Sequence, residues 1–202
     1  MSVIEILGDR APQGTSIRFA VKEATAAAHE RLDQGLGHLD LAQADGYRRF
    51  LKTIAAAHLP LEALLERSGI ARIITDWSQR SRSSALRRDM EGLGEQPEPL
   101  DLDIDTVNQA FALGILYTLE GSRLGGRYLL QTVQHSHAHL PVEFLQHGDT
   151  RLWGRFCAQL EASPEAHAHL DDVIAGARTA FSIFERAMER TTRKFLHGNP
   201  YT

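Results

Sequence analysis

Residues 106–133 read TVNQAFALGILYTLEGSRLGGRYLLQTV, a pattern that predicts one long apolar helix carrying four glycines. A glycine inside a helix costs about 0.8–1 kcal/mol relative to alanine, so these positions need an explanation. Gly121 and Gly125 are four residues apart and share one face, where a flat ligand can approach the backbone. Close packing between two helices is the alternative explanation, and we favour it for Gly114. The glycines alone leave both explanations open.

The rest of the chain also has helical spacing, which predicts an all-α single domain. We expect residues 1–15 to be a flexible N-terminal segment and residues 16–202 to form the domain. The first helix should run from the N-cap Ser16 to Gln34, because its apolar residues recur every three or four positions. Further helices are predicted over residues 44–58 and 61–68, separated by Pro60, and over residues 72–92, 141–146, 149–162 and 163–196.

Composition narrows the range of functions. The chain has 22 Lys and Arg against 26 Asp and Glu, and its net charge of −4 argues against a general nucleic-acid binder. Its one cysteine, Cys157, excludes an intrachain disulfide framework and fits a reducing compartment. The start lacks the pattern of a secretory signal, and the apolar run 107–119 is too short to span a membrane. We therefore expect a soluble, cytoplasmic protein with no nucleic-acid or membrane partner.

One histidine on the first helix stands out because of its neighbours. His29 projects from the edge of the apolar stripe, and the residues one turn earlier, Thr25 and Ala26, are small. Lys22 lies seven residues before His29, about 10 Å along the axis. Asp33, four residues after His29, can accept its Nδ1–H and fix the tautomer. This face suits a planar, metal-containing ligand with carboxylates on its rim, although a structural role for His29 is the alternative.

Two segments carry a resemblance to a known family. KEATAAAHERLD at residues 22–33 and LYTLEGSRLGG at residues 116–126 resemble the proximal-helix and distal-helix motifs of heme oxygenases. The resemblance is closest to the bacterial type, including members paired with bacteriophytochromes. It implies a heme-oxygenase-like helical bundle in which heme is sandwiched between the N-terminal helix and the glycine-rich helix.

The resemblance also implies roles for individual residues. His29 corresponds to the proximal iron ligand, and Lys22, beside Thr25 and Ala26, corresponds to a lysine that contacts a heme propionate. Looser alignment makes Tyr117, Arg151 and Arg155 further candidates for propionate contacts.

On the distal side the resemblance assigns catalytic positions to Gly121, Ser122 and Gly125, and Gly126 is expected to contact heme with them. Many heme oxygenases, notably those of animals, have an aspartate at the position of Ser122, where it organises water. In this chain we expect the proton route to rely on ordered water and backbone groups.

The implied activity uses heme as both substrate and cofactor. Dioxygen and electrons from a ferredoxin or a flavoprotein reductase would convert heme to biliverdin, carbon monoxide and ferrous iron, and a bacteriophytochrome is a possible acceptor of the biliverdin. A heme carrier or sensor that binds heme without degrading it is the alternative. A helical interaction protein without a cofactor is a more remote one.

Overall fold

The structure is a computed structural model, and it describes residues 16–135, 139–147, 149 and 151–197. Across these ranges the chain is all-α, as predicted, and no strand occurs in them. The predicted flexible segment, residues 1–15, lies outside the described residues. The helices are α1 (Ile17–Gly37), α2 (Ala44–Arg67), α3 (Trp77–Arg80), α4 (Ser83–Gly92), α5 (Gln109–Gln134), α6 (Glu143–Gln146), α7 (Arg151–Glu161), α8 (Pro164–Ala168) and α9 (Leu170–His197), with a 3₁₀ turn at Ile70–Arg72.

Helix α9 is the centre of the bundle and packs against α5, α1 and α2. It meets α5 through two glycines, one on each helix. A Cβ on Gly114 would lie 1.9 Å from the carbonyl oxygen of Val173, and one on Gly176 would lie 2.1 Å from that of Phe111. Only glycine permits this approach of the two backbones. The prediction that Gly114 is a packing glycine is confirmed.

The start of α1 is fixed by two side chains. Ser16 caps the helix as predicted, since its hydroxyl accepts a hydrogen bond from the backbone N–H of Phe19. The Glu161 carboxylate at the end of α7 accepts hydrogen bonds from the Ser16 hydroxyl, at 2.6 Å, and from the N–H groups of Ile17 and Arg18. A carboxylate at a helix N-terminus also interacts favourably with the helix dipole. Glu161 thereby ties α7 to α1.

The predicted break at Pro60 does not occur, because α2 continues through this residue to Arg67. Proline lacks an N–H, so the carbonyl of Ala56 loses its partner in the helix. The backbone N–H of Leu100 donates to that carbonyl instead, at 2.8 Å. A contact that is distant in sequence therefore allows the helix to stay continuous.

Two predicted helices are each divided. Within residues 72–92 only α3 and α4 are α-helical: the prediction is wrong for residues 73–76, and residues 81–82 interrupt the rest. Residues 163–196 form α8 and α9 with a break at His169. The first interruption has a clear cause: the carboxylate of Glu62 accepts hydrogen bonds from the backbone N–H groups of Arg82 and Ser83. The interruption turns Arg80 and Arg82 into the interior, where each is 3% exposed or less.

The core consists mainly of apolar side chains from α2, α5 and α9. Although α5 and α9 are long, no helix in the described ranges has both the length and the apolar composition needed to cross a membrane.

Candidate functional site

Helices α1 and α5 both pack against α9, and we call the space between the His29 side of α1 and the Gly121–Gly125 side of α5 the groove. Two consecutive residues of α9 contact the two helices. Thr118 of α5 donates from its hydroxyl to the carbonyl of Ala177, at 3.4 Å, and the Nε–H of Arg178 donates to the carbonyl of Ala24 in α1, at 3.1 Å. Because consecutive residues of a helix point about 100° apart, α1 and α5 flank α9 at this level.

Helix α7 closes one end of the groove. Its Trp153 ring packs edge-on against Tyr117 of α5, with 5.3 Å between the ring centroids. A Cβ on Gly121 would lie 3.8 Å from the same indole. Because Glu161 at the other end of α7 binds the start of α1, this helix spans from one wall of the groove to the other.

The α1 wall presents the predicted histidine. The Nδ1 atom of His29 lies 3.0 Å from Oδ2 of Asp33, which confirms the predicted pairing. The two side chains are 47% and 67% exposed, so the pair lies at the surface. Phe181 of α9 lies behind the imidazole, with 5.9 Å between the ring centroids. When Nδ1–H donates to Asp33, the Nε2 lone pair remains for a metal, as in other histidine–carboxylate pairs.

The other predicted residues of α1 differ in placement. Lys22 and Ala26 are exposed on the same side of the helix as His29. Thr25 is only 4% exposed, and its hydroxyl donates to the carbonyl of Val21, at 2.7 Å. The one proton of this hydroxyl is therefore committed within the helix. A role for Thr25 in ligand binding stays a prediction.

The α5 wall presents backbone rather than side chains. A Cβ on Gly125 would meet no atom of the described residues within 4 Å, and one on Gly121 would meet only Trp153. Gly126 is buried, and its Cβ position faces Leu145 of α6, at 3.8 Å. Gly126 follows Gly125 by about 100° of helical rotation, so the structure does not bring it to the face shared by Gly121 and Gly125.

Ser122 is already engaged in hydrogen bonds. Its hydroxyl donates to the carbonyl of Leu119 and accepts from the Arg82 guanidinium, each at 2.7 Å. The one proton of the hydroxyl is committed, so Ser122 can act toward a ligand or water only as an acceptor.

Of the three residues aligned loosely with propionate contacts, Tyr117 alone lies at the groove. Burial, together with the nearby Cys157, raises the pKa of Tyr117 to about 12, while the Arg18 charge opposes this increase. Tyr117 thus stays a hydrogen-bond donor at neutral pH. Arg151 and Arg155 lie two residues either side of Trp153 and therefore face away from the groove. They pair with Asp149, at 2.6 Å, and Asp76, at 3.6 Å.

Sequence reasoning missed Arg18. It precedes Lys22 by four residues, so Arg18, Lys22 and His29 follow one line along α1. Burial raises the pKa of both Tyr117 and Cys157, and the Arg18 charge opposes this increase, so the guanidinium lies near the end of the groove that α7 closes. The spacing of four residues was the signal that could have identified it.

Behind the α5 wall lies a buried ionic network. Glu120 accepts hydrogen bonds from Arg80, at 2.6 Å, and from Arg123, at 2.9 Å. These three side chains are at most 4% exposed. Arg80 also binds Asp76 through two nitrogens, at 2.6 and 2.9 Å. Removing one member of such a network leaves a buried charge without its partner, which is strongly destabilising.

A second part of the network centres on Glu62 of α2. Its carboxylate accepts hydrogen bonds from His58 Nε2, at 2.8 Å, and from the residues between α3 and α4. Burial by itself raises the pKa of Glu62, but the interactions with His58 and the two serine hydroxyls hold it well below its ordinary value. Burial is also the main reason that the pKa of His58 is lowered, so His58 is a neutral imidazole in the native protein.

Comparison with known proteins gives a consistent result. The Heme oxygenase family model matches residues 16–190. A heme oxygenase of Xanthomonas campestris pv. campestris (strain 8004) is 33% identical over 163 residues, which cover 79% of this chain and 96% of that protein. Heme oxygenase PigA of Pseudomonas aeruginosa is 27% identical over 177 residues, covering 83% and 88% of the two chains. The fold is similar to that of the NO- and CO-bound heme oxygenase from Neisseria meningitidis, with a TM-score of 0.71 and 25% identity over 88% of this chain and 92% of that one.

Proposed function

The chain belongs to the heme oxygenase family, and from this premise we propose that it cleaves heme to biliverdin, carbon monoxide and ferrous iron, with His29 as the residue that would bind the heme iron. The enzyme would use dioxygen and electrons supplied by another protein. Heme is both substrate and prosthetic group in this type of enzyme. Which residues bind heme is the part that we argue from the groove.

One observation supports the proposal above all: an imidazole and a bare backbone face the same groove. On α1, the bond to Asp33 orients His29 and leaves Nε2 for iron. On α5, the positions of Gly121 and Gly125 leave room for a planar ring against the helix backbone. The residues present therefore fit heme.

The remaining groove residues would each make a different contact with heme. The exposed Lys22 ammonium would meet a propionate carboxylate, and the Tyr117 hydroxyl would donate a hydrogen bond at the end that α7 closes. Trp153 covers that end and excludes water from it. Heme supplies the iron at which dioxygen is reduced and the ring that is oxidised.

The glycines and Ser122 would act on the side opposite His29. The absence of side chains at Gly121 and Gly125 would admit a planar ring against the backbone of α5. Ser122 would orient water by accepting a hydrogen bond, since its own proton stays with Leu119. The protein's contribution to proton delivery is then the placement of water rather than an acid side chain.

The proposal extends to the proteins that supply electrons and accept biliverdin. We propose a ferredoxin or a flavoprotein reductase as the electron donor and a bacteriophytochrome as the acceptor of biliverdin. The similarity of residues 22–33 and 116–126 to the bacterial type paired with such photoreceptors supports this. A cytoplasmic location belongs to the same proposal, because a single cysteine fits a reducing compartment.

The test is a single-turnover reaction with the hemin complex of the full-length chain. Addition of a reductant under oxygen should replace the heme absorption bands by those of biliverdin and release carbon monoxide. Persistence of the heme bands under the same conditions would indicate a carrier or sensor. Failure to bind hemin at all would exclude both.

A further inference from the structure

Arg82 joins the buried ionic network to the glycine-bearing helix. Its guanidinium is 3% exposed, and one of its terminal nitrogens donates to both the Leu119 carbonyl and the Ser122 hydroxyl, each at 2.7 Å. The plane of the guanidinium lies against the ring of Phe144, with its central carbon 4.6 Å from the ring centroid. Among the described residues, no side chain from outside α5 other than that of Arg82 donates to these two groups.

The contact of Arg82 with α5 matters because Leu119 lies just before Gly121 and Gly125, which face the groove. The Leu119 carbonyl receives three donors: the N–H four residues later in the helix, the Ser122 hydroxyl and Arg82. A side chain that bonds to a helix carbonyl in this way bends the helix locally. Arg82 therefore influences where the following turn, which includes Gly121 and Gly125, lies in the groove.

Arg82 is itself held firmly. Its backbone N–H donates to Glu62, at 2.8 Å, and Glu62 also binds the serines on either side of it. Burial and the neighbouring Arg123 lower the pKa of Arg82 to about 9, which still leaves the guanidinium charged at neutral pH. Glu62 of α2 thus fixes the position of the Arg82 guanidinium, and the guanidinium in turn holds α5.

Three buried nitrogens around this contact have no hydrogen-bond partner among the described residues: Nε of Arg82, Nδ1 of His58 and Nδ1 of His147. Nε of Arg82 is a donor. Nδ1 of His58 is an acceptor when its Nε2–H donates to Glu62. Buried polar groups of native proteins are nearly always satisfied, commonly by ordered water. The surroundings of Arg82 are therefore suited to bound water.

From these contacts we infer that Arg82 is a positioning residue for the heme oxygenase reaction: it holds Ser122 and the backbone of residues 119–125, and thereby the water on the side of heme opposite His29. This inference rests on the proposed function, because it assigns Ser122 and the two glycines to that side. Arg82 does not touch the heme.

The experiment uses Arg82→Gln, Arg82→Lys and Ser122→Ala in the full-length chain loaded with hemin. Arg87→Gln is the matched control, since this exposed arginine lies on α4, the helix that Arg82 precedes. Two quantities are measured: the pH midpoint of the acid–alkaline transition in the visible spectrum, and the ratio of biliverdin formed to hydrogen peroxide released in a single turnover. The pH midpoint does not depend on turnover.

We expect Arg82→Gln to shift the pH midpoint and to lower the product ratio by roughly tenfold, as small displacements of reacting groups commonly do. Arg82→Lys should recover part of both effects, because an ammonium group can still donate to Leu119 or Ser122. Ser122→Ala should change both in the same direction without leaving a buried charge unpaired. Arg87→Gln should match the wild type.

A purely structural role for Arg82 would lower only the thermal stability. Wild-type values of the pH midpoint and of the product ratio in both Arg82→Gln and Ser122→Ala would therefore overturn the inference. If Arg82→Gln does not fold, Ser122→Ala alone decides between the two outcomes. If the wild type forms no biliverdin, the proposed function fails, whereas the pH midpoint still tests whether Arg82 acts on the heme side of α5.

Discussion

His29 on α1 and the Gly121–Gly125 segment of α5 face the same groove, but the protein holds them in place differently. His29 is about half exposed, and its partner Asp33 is more exposed still. The glycine segment is supported from behind by buried charges, among them Arg82 and Glu120. The α1 wall therefore presents one ligating nitrogen, which an exposed pair of side chains holds. The α5 wall presents backbone, which buried charged side chains hold in place. Substitution of His29 should therefore leave the fold intact, whereas removal of the buried charges behind α5 should destabilise it.

The largest effect on function is expected from His29→Ala. Removal of the imidazole should abolish the histidine-ligated heme spectrum and biliverdin formation, because we assign no other nitrogen ligand to the iron. The measurement is a hemin titration followed by absorption spectroscopy and single turnover. His169→Ala is the control, since His169 is also exposed and pairs with a carboxylate four residues away, Glu165, at 3.7 Å. An unchanged spectrum in His29→Ala would exclude His29 as the ligand.

Gly125→Leu tests the open backbone on the other wall. Since a Cβ at this position meets nothing within 4 Å, the apoprotein should keep the melting temperature of the wild type. The leucine should occupy the space for the ring, so hemin affinity and biliverdin yield should fall by at least roughly tenfold. Gly37→Leu, at the end of α1, is the control because its Cβ position is also free. Normal biliverdin yield from Gly125→Leu would contradict the assignment of this face.

Gly114→Ala should show the opposite behaviour. Its Cβ would lie 1.9 Å from the carbonyl oxygen of Val173, so α5 and α9 must separate. We expect the free energy of unfolding to fall by about 3 kcal/mol, at the upper end of the range for overpacking. Urea unfolding of the apoprotein measures this. If Gly114→Ala is as stable as Gly125→Ala, the distinction between a packing glycine and a ligand-facing glycine is wrong.

The sequence predicted local features well because their causes are local. The helical period located α1 and α5, the Ser16 cap marked a helix start, and the spacing of four residues paired His29 with Asp33. The separation of Gly114 as a packing glycine from Gly125 as an open one was also predicted, and the contact of Gly114 with α9 confirms the first part.

Features with long-range causes were missed. The continuity of α2 depends on Leu100, which lies far from Pro60 in the sequence. Arg82 lies within the helix predicted over residues 72–92, and only its contacts with Glu62 and Leu119 reveal that it is buried. Arg151 and Arg155 were assigned by alignment, and the orientation of α7 turns them outward.

The support behind α5 also predicts a pH dependence of stability. Burial, chiefly, lowers the pKa of His58 from its ordinary value of 6.5, so the native protein does not protonate it when the unfolded chain does. Its contribution to stability is complete above about pH 6.5 and is lost as the pH falls below that value, by up to about 1.4 kcal/mol per pH unit. Wild type should therefore lose stability between about pH 7 and 5.

The matching variant is His58→Gln, whose side-chain amide can still donate to Glu62. It should flatten the dependence of the unfolding free energy on pH, as measured by urea unfolding at several pH values. His169→Gln, which changes an exposed histidine, should retain the wild-type slope. Equal slopes in the wild type and His58→Gln would show that the buried imidazole takes up a proton in the native state.

The smallest effect is expected from Asp33→Asn, on the weakly supported wall. The asparagine oxygen can still accept the Nδ1–H of His29, so the orientation of the imidazole should persist, while the negative charge that makes Nε2 a stronger ligand is lost. Because Asp33 is 67% exposed, water already weakens its influence. We expect a loss of hemin affinity of roughly tenfold or less and a shift of the iron–imidazole vibration in the resonance Raman spectrum. An effect as large as that of His29→Ala would mean that Asp33 supports the α1 wall as firmly as Arg82 supports α5.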